Sequence, residues 1–353
     1  MIKVVYVSEG LITKEDIETR GIPDKVCEIS SEITFAYTED LAALKGCGND
    51  MRKANLRLEK EGPNWVKHSP EFLESIRDAE IIIMHYSAAG REFFDAAKKL
   101  KLLCVMRSGV ENVDMVSAKE KGIVVCASPG RASEPVADFT VTVMLALMRR
   151  IPYTNMSGTG KWTNALMGTE GMMKNSIVGL IGFGVIAQKV AKRLQGFGCR
   201  IIAYDPWVSK EITERFGVEK VDSLKQVFED ADFVSLHARL TLENHGMVDK
   251  KLLKTMKSTA YLINTARAGF VNEDDLIEAL KDGTIAGAGL DVFSQEPLPE
   301  GHPFLTMENV IVTPHVAGNG GDFILRSVES PLNEIRHYIN GEKYDCRMNL
   351  LIH

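Results

Sequence analysis

The sequence predicts an α/β fold of two domains, each built around a parallel β-sheet with helices on both faces. Short apolar runs alternate along the chain with segments whose apolar residues recur at helical spacing. These runs are continuous rather than alternating, which is typical of strands buried on both faces. A length of 353 residues, at about 150 residues per domain, indicates two domains.

In the first third of the chain, four apolar runs predict strands: Ile2–Val7, Ile81–Met84, Leu102–Met106 and Ile123–Ala127. Amphipathic segments predict helices at Arg91–Leu100 and Met115–Lys121. The stretch from Ser31 to Pro70 has mixed charge and moderate apolar content, so we interpret it as an elaboration of the first domain and assign no elements to it.

A long helix is predicted at Glu134–Arg149, followed by a polar stretch from Ile151 to Asn175. Six further apolar runs then predict the strands of a second sheet: Ile177–Gly182, Arg200–Tyr204, Asp232–His237, Ala260–Thr265, Gly287–Val292 and Val310–Thr313. This number of strands matches a full dinucleotide-binding sheet. A last helix is predicted at Asp322–Tyr338.

Composition and charge exclude several function classes. The chain has 42 Lys and Arg against 48 Asp and Glu, a net charge of −6, so no global basic field attracts nucleic acid or anionic lipid. Its apolar runs fall short of the ~20 residues of a membrane span, and the N-terminus lacks the pattern of a signal peptide. We therefore expect a cytoplasmic protein without nucleic-acid or membrane partners.

The six cysteines include no Cys-x-x-Cys pair, and most lie in apolar runs. This arrangement favours free thiols in a reducing compartment over a disulfide framework. No metal site is predicted.

A glycine-rich turn follows the first strand of the second sheet. It reads Gly182-x-Gly184-x-x-Ala187, and it opens a predicted helix. Gly182 permits the tight turn, Gly184 has no Cβ to obstruct a pyrophosphate, and Ala187 lets the helix pack closely on the strand. The free N–H groups at the start of the helix suit phosphate, so the unit predicts dinucleotide binding.

Asp205 ends the second strand of this unit, where the adenosine ribose is expected. A carboxylate there accepts hydrogen bonds from the ribose 2′-OH and repels the 2′-phosphate of NADP. Neither Arg nor Lys stands beside it, since Pro206, Trp207 and Val208 follow. The pattern predicts NAD as the cofactor; the alternative is an aspartate that only caps the turn before Pro206.

Three candidate catalytic side chains follow later strands of the second sheet: Arg267, Glu296 and His315. The carboxyl ends of parallel strands meet at one edge, where α/β sheets bind ligands. Each residue also has a structural interpretation. Arg267 could be a surface ion-pair partner, Glu296 an ordinary polar loop residue, and His315 a cap for the last helix.

Taken in order, these motifs resemble those of the D-2-hydroxyacid dehydrogenases. The series is Gly-x-Gly-x-x-Ala with Asp205, then Asn-x-x-Arg-x-x-x-Val, then Gly-Leu-Asp-Val-Phe-x-x-Glu-Pro, and finally Thr-Pro-His-x-x-Gly. The segment Gly109–Asp114, the tripeptide Ser128–Gly130 and Trp162 match further landmarks of the family. The resemblance spans Leu102 to Tyr338, about two thirds of the chain.

The resemblance implies a role for each matched position. Arg267 is implied to bind the substrate carboxylate and carbonyl oxygen, and His315 to be the general acid and base. Glu296 is implied to hydrogen-bond the imidazole and favour its protonated form, and Asp291 to hold the nicotinamide carboxamide. Other residues are implied to line the dinucleotide: Val185, Ile186, His237, Thr265 and Ala266. The backbone N–H groups of Ser108 and Gly109 are implied to bind the other side of the substrate carboxylate.

One departure from the family concerns the loop before the Val-Asp landmark. The family has Gly-x-Gly there, whereas this chain has Arg107-Ser108-Gly109, so a cation replaces the first glycine. Arg107 could read a second anionic group of the substrate, such as a phosphate or a distal carboxylate, or it could pair with Glu111 or Glu134. Asp138 also stands where the family's long helix has Glu.

The resemblance further implies a doubly wound NAD-binding domain, residues 128–317, inserted into a flavodoxin-like substrate domain, residues 1–127 plus 318–353, with the reaction in the cleft between them. It implies a homodimer formed through the helix at Glu134–Arg149 and the Trp162 segment. The expected activity is hydride transfer between NAD(H) and a D-2-hydroxy acid or 2-oxo acid. An alternative is an NAD(H)-sensing corepressor-like interaction protein of the same family. A formate-dehydrogenase-like activity is disfavoured because that branch has Gln in place of Glu296.

Overall fold

The computed structural model describes residues 1–154, 171–320 and 322–348. The chain divides into two compact units: Met1–Arg131 with Asp322–His353, and Ala132–Gly321. The first unit is therefore discontinuous in sequence. Both units contain a parallel sheet, and the predicted α/β class with two Rossmann-like sheets is confirmed. Trp162, invoked for the predicted homodimer, lies outside the described residues.

The first unit has a five-stranded parallel sheet in the order β2-β1-β3-β4-β5. Its strands are β1 (Ile2–Ser8), β2 (Ile33–Glu39), β3 (Ile81–Met84), β4 (Leu102–Val105) and β5 (Val124–Cys126). Its helices are α1 (Lys14–Thr19), α2 (Ile22–Cys27), α3 (Ala42–Lys45), α4 (Met51–Glu61), α5 (Pro70–Ile76), α6 (Arg91–Ala96) and α7 (Met115–Glu120), followed much later by the returning C-terminal helix (Phe323–Asn340).

Two strands of this sheet, β3 and β4, are buried along their whole length, because one apolar core lies on each face. One core contains Phe72, Phe93 and Phe94. The other contains Ile324 and Ile335 of the C-terminal helix, which therefore completes the first unit. This two-sided burial explains why the strands read as continuous apolar runs.

The second unit has a parallel sheet in the order β12-β11-β10-β9-β6-β7-β8. Its strands are β6 (Ile177–Ile181), β7 (Arg200–Tyr204), β8 (Glu219–Lys220), β9 (Phe233–Leu236), β10 (Tyr261–Asn264), β11 (Gly287–Leu290) and β12 (Val310–Val312). Its helices are α8 (Ser133–Met148), α9 (Ile151–Thr154), α10 (Val185–Gln195), α11 (Lys210–Glu214), α12 (Leu224–Asp230), α13 (Lys250–Leu253) and α14 (Glu273–Lys281); the C-terminal helix of the first unit becomes α15. The strand order reverses between β6 and β9, and such a switch point opens a crevice at the carboxyl edge.

Two strands differ from the sequence-based assignment. Strand β8 has only two residues, too few to form an apolar run, so the second sheet has seven described strands where six were predicted. Strand β2 lies at an edge of the first sheet and is mostly half-buried, which explains its mixed composition. It lies in the stretch from Ser31 to Pro70, which also holds helices α3 and α4. Asp50 caps α4 by accepting a hydrogen bond from the Lys53 amide.

Candidate active site

His315 and Glu296 form the central contact of the candidate site in the second unit. The imidazole Nδ1 lies 2.8 Å from a carboxylate oxygen of Glu296, and the other oxygen of Glu296 accepts the Phe293 amide at 3.1 Å. The His315 side chain is 47% exposed and that of Glu296 is 22% exposed. The carboxylate is therefore held by the protein, while the imidazole remains accessible to a ligand.

The loop that carries His315 is fastened to buried Asp291, the residue that follows β11. One carboxylate oxygen of Asp291 accepts the Thr313 hydroxyl at 2.7 Å and the Val316 amide at 2.9 Å. The other oxygen accepts the Ala317 amide at 2.8 Å. His315 itself has a φ of +56°, which is uncommon for a residue other than glycine, and these bonds on both sides hold it there. The sequence motif did not reveal this positioning role.

Arg267 follows β10, next to β11 in the sheet, so it lies at the same carboxyl edge as Asp291. Its side chain is exposed, and its Nη1 donates to the Ala266 carbonyl at 2.8 Å. Buried Asn264 holds the loop: its amide nitrogen donates to the Arg267 carbonyl at 2.9 Å, and its amide oxygen accepts the Ala266 N–H at 3.1 Å. The Asn-x-x-Arg spacing therefore lets the Asn264 side chain fix the backbone of the loop that carries Arg267.

The glycine-rich turn connects β6 to α10. Gly182 has a φ of +86°, and a Cβ at this position would lie 2.6 Å from the Ala238 backbone nitrogen. No other residue type fits there without displacing backbone. A Cβ at Gly184 would meet no atom within 4 Å, so the space beside it is open. Val185 and Ile186 form the first turn of α10, with Val185 exposed.

The Asp205 carboxylate links the glycine-rich turn after β6 to the turn that follows β7. One carboxylate oxygen accepts the Phe183 amide from the glycine-rich turn at 2.8 Å. The other accepts the amides of Trp207 and Val208 at 2.9 and 3.2 Å. The capping interpretation raised by the sequence therefore describes part of what this residue does. Because each carboxylate oxygen has two acceptor positions, the side chain can still accept a ribose hydroxyl.

Three other predicted cofactor-lining residues lie at the same edge. The Thr265 hydroxyl lies 2.8 Å from that of Thr140 on α8, which ties the end of β10 to this helix. Ala266 is held by Asn264, as described above. His237 follows β9, and its Nε2 lies 2.9 Å from the Ser235 hydroxyl. Burial lowers the pKa of His237 to about 4, so its imidazole is neutral at physiological pH.

The three predicted substrate-binding residues of the first unit follow β4. The Arg107 side chain is buried, with its guanidinium 4.4 Å above the Tyr86 ring and 3.4 and 3.8 Å from the carboxylates of Glu59 and Glu111. Of the two alternative ion pairs that the sequence offered, the one with Glu111 is present, whereas Glu134 pairs with Lys189 and Arg193 in the second unit. Ser108 is exposed and donates to the Ser128 carbonyl at 3.4 Å. Gly109 lies against Glu111, whose carboxylate would overlap any Cβ there.

A buried carboxylic acid, Glu9, follows β1 of the first unit. Burial raises its pKa to about 8, although backbone hydrogen bonds and Arg107 act in the opposite direction. Its Oε1 lies 3.2 Å from Nδ1 of His85, whose own pKa burial holds well below its usual value. The contact is therefore a hydrogen bond between two neutral groups at pH 7 rather than an ion pair.

The raised pKa of Glu9 predicts a pH-dependent stability. Between the ordinary carboxyl pKa of 4.5 and about 8, folded Glu9 keeps a proton that the unfolded chain releases, so stability falls as pH rises. Glu9→Gln removes this loss. The free energy of unfolding of the variant, relative to that of the wild type, should therefore be higher at pH 8 than at pH 5. The expected gain is on the order of a few kcal/mol, measured by urea unfolding at both pH values. The exposed control Glu32→Gln should show no such change; equal shifts in both variants would contradict the prediction.

Comparison with known proteins identifies the family. Residues 141–317 match the sequence profile of the D-isomer specific 2-hydroxyacid dehydrogenase NAD-binding domain. The chain belongs to this family. The resemblance inferred from the motifs is thereby confirmed, together with the oxidoreductase class and NAD as the cofactor.

Individual relatives agree with this assignment. The chain is 36% identical to a glyoxylate reductase of Thermofilum pendens, over 82% of this chain and 87% of the relative. It is 37% identical to a D-3-phosphoglycerate dehydrogenase of Methanocaldococcus jannaschii over 79% of its own length, but it spans only 53% of that relative. Its fold is similar to that of D-lactate dehydrogenase with NAD+ from Lactobacillus jensenii, with a TM-score of 0.77, 24% identity and coverage of 98% and 99%. None of the helices described for this chain is long and apolar enough to cross a membrane.

Proposed function

We propose that this dehydrogenase interconverts a 2-oxo acid and the corresponding D-2-hydroxy acid with NAD(H). The observation that carries the proposal is the 2.8 Å contact between His315 and Glu296 at the carboxyl edge of the sheet. A half-exposed imidazole held by a carboxylate is the arrangement that proton transfer to a carbonyl oxygen requires. Arg267 lies in the loop that follows β10, the strand next to β11, so it lies at the same carboxyl edge of the sheet.

His315 moves the proton. With Nδ1 directed at Glu296, the ring presents Nε2 as the proton donor to the carbonyl oxygen of the oxo acid. In the reverse direction the same nitrogen accepts the hydroxyl proton. Glu296 fixes the ring orientation and stabilises the imidazolium, and Asp291 holds the backbone on both sides of His315. Arg267 binds the substrate carboxylate, because its planar guanidinium donates two parallel hydrogen bonds.

The residues at the switch point fit NAD. Open space beside Gly184 admits a pyrophosphate next to the first amides of α10, and Asp205 retains acceptor positions for a ribose hydroxyl. Bound as NADH, the cofactor supplies the hydride. Because Asp291 already accepts three hydrogen bonds, its predicted contact with the nicotinamide carboxamide would use its remaining acceptor capacity. That contact stays a prediction.

A spectrophotometric screen of NADH oxidation with 2-oxo acids tests the proposed function. The panel contains glyoxylate, hydroxypyruvate, 3-phosphohydroxypyruvate and pyruvate, since relatives are named for glyoxylate and hydroxypyruvate reduction and for phosphoglycerate oxidation. We expect turnover with at least one of them. Glycolate from glyoxylate is achiral, whereas each of the other three substrates should give a D-configured product by chiral chromatography. An L-configured product, or no turnover with any 2-oxo acid, would refute the proposal. The corepressor-like alternative is not favoured, since these relatives are named as enzymes.

Replacement of Asp205 tests cofactor choice. Asp205→Asn keeps a hydrogen-bond acceptor for the turn but removes the negative charge that repels a 2′-phosphate. We expect the ratio of kcat/KM for NADH over NADPH to fall by about tenfold or more, because this ratio reflects the charge. The exposed control Asp222→Asn should leave the ratio unchanged. An unaltered ratio in Asp205→Asn would mean that the residue serves only the turn.

The homodimer and the cytoplasmic location inferred from the sequence remain proposals. Analytical ultracentrifugation of the purified chain tests the first, with a single species of about twice the 39.1 kDa chain mass as the expected result.

A further inference from the structure

The loop that carries Arg267 is paired with a second loop, residues 239–248, which follows the neighbouring strand β9 and which we call the support loop. The Gly246 amide donates to the Gly269 carbonyl at 2.7 Å, and the Val248 amide donates to the Phe270 carbonyl at 2.9 Å. The two loops are therefore joined through their backbones immediately after Arg267.

The support loop is itself fixed at its turn and at its end. The Asn244 side chain accepts the Thr241 amide at 2.7 Å and donates to the Arg239 carbonyl at 2.8 Å. At the end of the loop, fully buried Val248 forms a parallel bridge with Val271. The support loop therefore presents a fixed surface to the loop of Arg267.

Side chains of the support loop lie directly against Gly269. A Cβ at Gly269 would lie 2.7 Å from Cδ2 of Leu240 and 3.2 Å from Cδ2 of His245. Because carbon atoms pack at about 3.5–4.0 Å, a side chain at this position would overlap Leu240 by about 1 Å. Gly269 does not have a positive φ, so what this position requires is space rather than an unusual backbone angle.

Leu240 is the side chain through which the support loop reaches Gly269. It is half-buried and packs against the core of the second unit, whereas Leu242 in the same loop is 94% exposed. Arg267 lies two residues before Gly269, and the described hydrogen bond of its exposed guanidinium is to the Ala266 carbonyl. The position of this guanidinium therefore depends on the backbone that carries it.

We propose that Leu240, packed against Gly269, positions the Arg267 guanidinium for the substrate carboxylate. This proposal rests on the proposed function, which gives Arg267 that role. Asn264 holds the loop from the end of β10, and Leu240 holds it from the side of β9. Leu240 is thus a positioning residue that acts through Arg267. Misplacement of a substrate-positioning group by about 1 Å can reduce the rate about 100-fold.

Gly269→Ala tests the contact. The added methyl group overlaps Leu240, so we expect the two loops to move apart and KM for the oxo acid to rise about tenfold, with a smaller change in kcat. The variant should fold, because the overlapped atom is the end of a flexible side chain. Gly196→Ala is the matched control, since a Cβ there lies 3.5 Å from its nearest neighbour, and it should keep the wild-type KM.

A compensating substitution tests whether Leu240 causes the effect. Leu240→Ala alone removes the support and should raise KM about threefold. In the double variant Gly269→Ala/Leu240→Ala, the new methyl group fills part of the space that Leu240 leaves, so KM should return to within about twofold of the wild type. Leu242→Ala, at the exposed leucine of the same loop, should leave KM unchanged. A double variant no better than Gly269→Ala would contradict the proposal.

A second double-mutant cycle tests whether the contact acts through Arg267. In the Arg267→Gln background the guanidinium is absent, so Gly269→Ala should cause no further rise in KM. A rise of about tenfold in both backgrounds would overturn the proposal. The dissociation constant for NADH, from fluorescence titration, should stay within about twofold of the wild-type value in Gly269→Ala. A larger change would assign the contact to the cofactor and would also overturn the proposal.

Hydrogen exchange provides a measurement that does not require turnover. The backbone amides of residues 265–272 should exchange faster in Leu240→Ala than in Leu242→Ala, because the first variant loses the support. Equal exchange in the two variants would refute the positioning role. Absence of turnover by the wild type with every 2-oxo acid would instead refute the proposed function, and the exchange measurement would then still decide whether Leu240 holds the Arg267 loop.

Discussion

His315→Gln is expected to lower kcat by about 10²–10⁴-fold, the usual contribution of a general acid. Glutamine approximates the size of the imidazole and can donate a hydrogen bond, but it cannot deliver a proton. Since His315 is half exposed and its loop is held by Asp291, the substitution should leave the fold intact. The dissociation constant for NADH, measured by fluorescence titration, should change by no more than about twofold because only proton transfer is removed.

The matched control for this prediction is His302→Gln in the same unit. His302 accepts the Phe304 amide at 3.4 Å in a local turn and lies outside the proposed machinery. Its replacement should leave kcat near the wild-type value. If His315→Gln also retained wild-type turnover, His315 would not be the acid, whatever its contact with Glu296.

Arg267→Gln is expected to reduce kcat/KM for the oxo acid by about 100-fold or more. Two charge-assisted hydrogen bonds to a carboxylate, each contributing about 1.5–3 kcal/mol, are lost together, and each 1.4 kcal/mol corresponds to a factor of ten. Arg267→Lys keeps the charge but not the planar fork, so an intermediate loss is expected. Steady-state kinetics at saturating NADH measure both effects.

Stability should change little in these variants, because the Arg267 side chain is exposed and its described contact is the neighbouring Ala266 carbonyl. Arg215→Gln, at another exposed arginine of the second unit, provides the control and should leave kcat/KM unchanged. Equal kinetics for Arg267→Gln and Arg215→Gln would show that Arg267 is a surface residue, as the structural interpretation of the sequence allowed.

Elements with strong local patterns could be predicted from the sequence. Strand β3 matches its predicted bounds because four consecutive apolar residues are buried on both faces. The long helix α8 and the C-terminal helix were also expected, since their apolar residues recur at helical spacing. Strands β2 and β8 were missed because edge strands are only partly buried or very short, so no continuous apolar run marks them.

The glycine-rich turn combines one feature that the sequence predicts with one that depends on the tertiary structure. The spacing of Gly182 and Gly184 predicted a dinucleotide site, since these glycines serve a local backbone geometry. That Asp205 also hydrogen-bonds the Phe183 amide depends on strands β6 and β7 being neighbours. Sequence spacing alone carries no information about that contact.

The sequence by itself determined the α/β class and the NAD fingerprint, and it predicted Arg267, Glu296 and His315 as candidate site residues, because each of these is encoded in a local pattern or an ordered motif. Only the tertiary structure decided which side chains meet. It made Asp291 the anchor of the His315 loop, and it gathered Glu9, His85 and Arg107 from the ends of three strands. The physical reason is that parallel strands bring their carboxyl ends to one edge, so residues up to about a hundred positions apart become neighbours there.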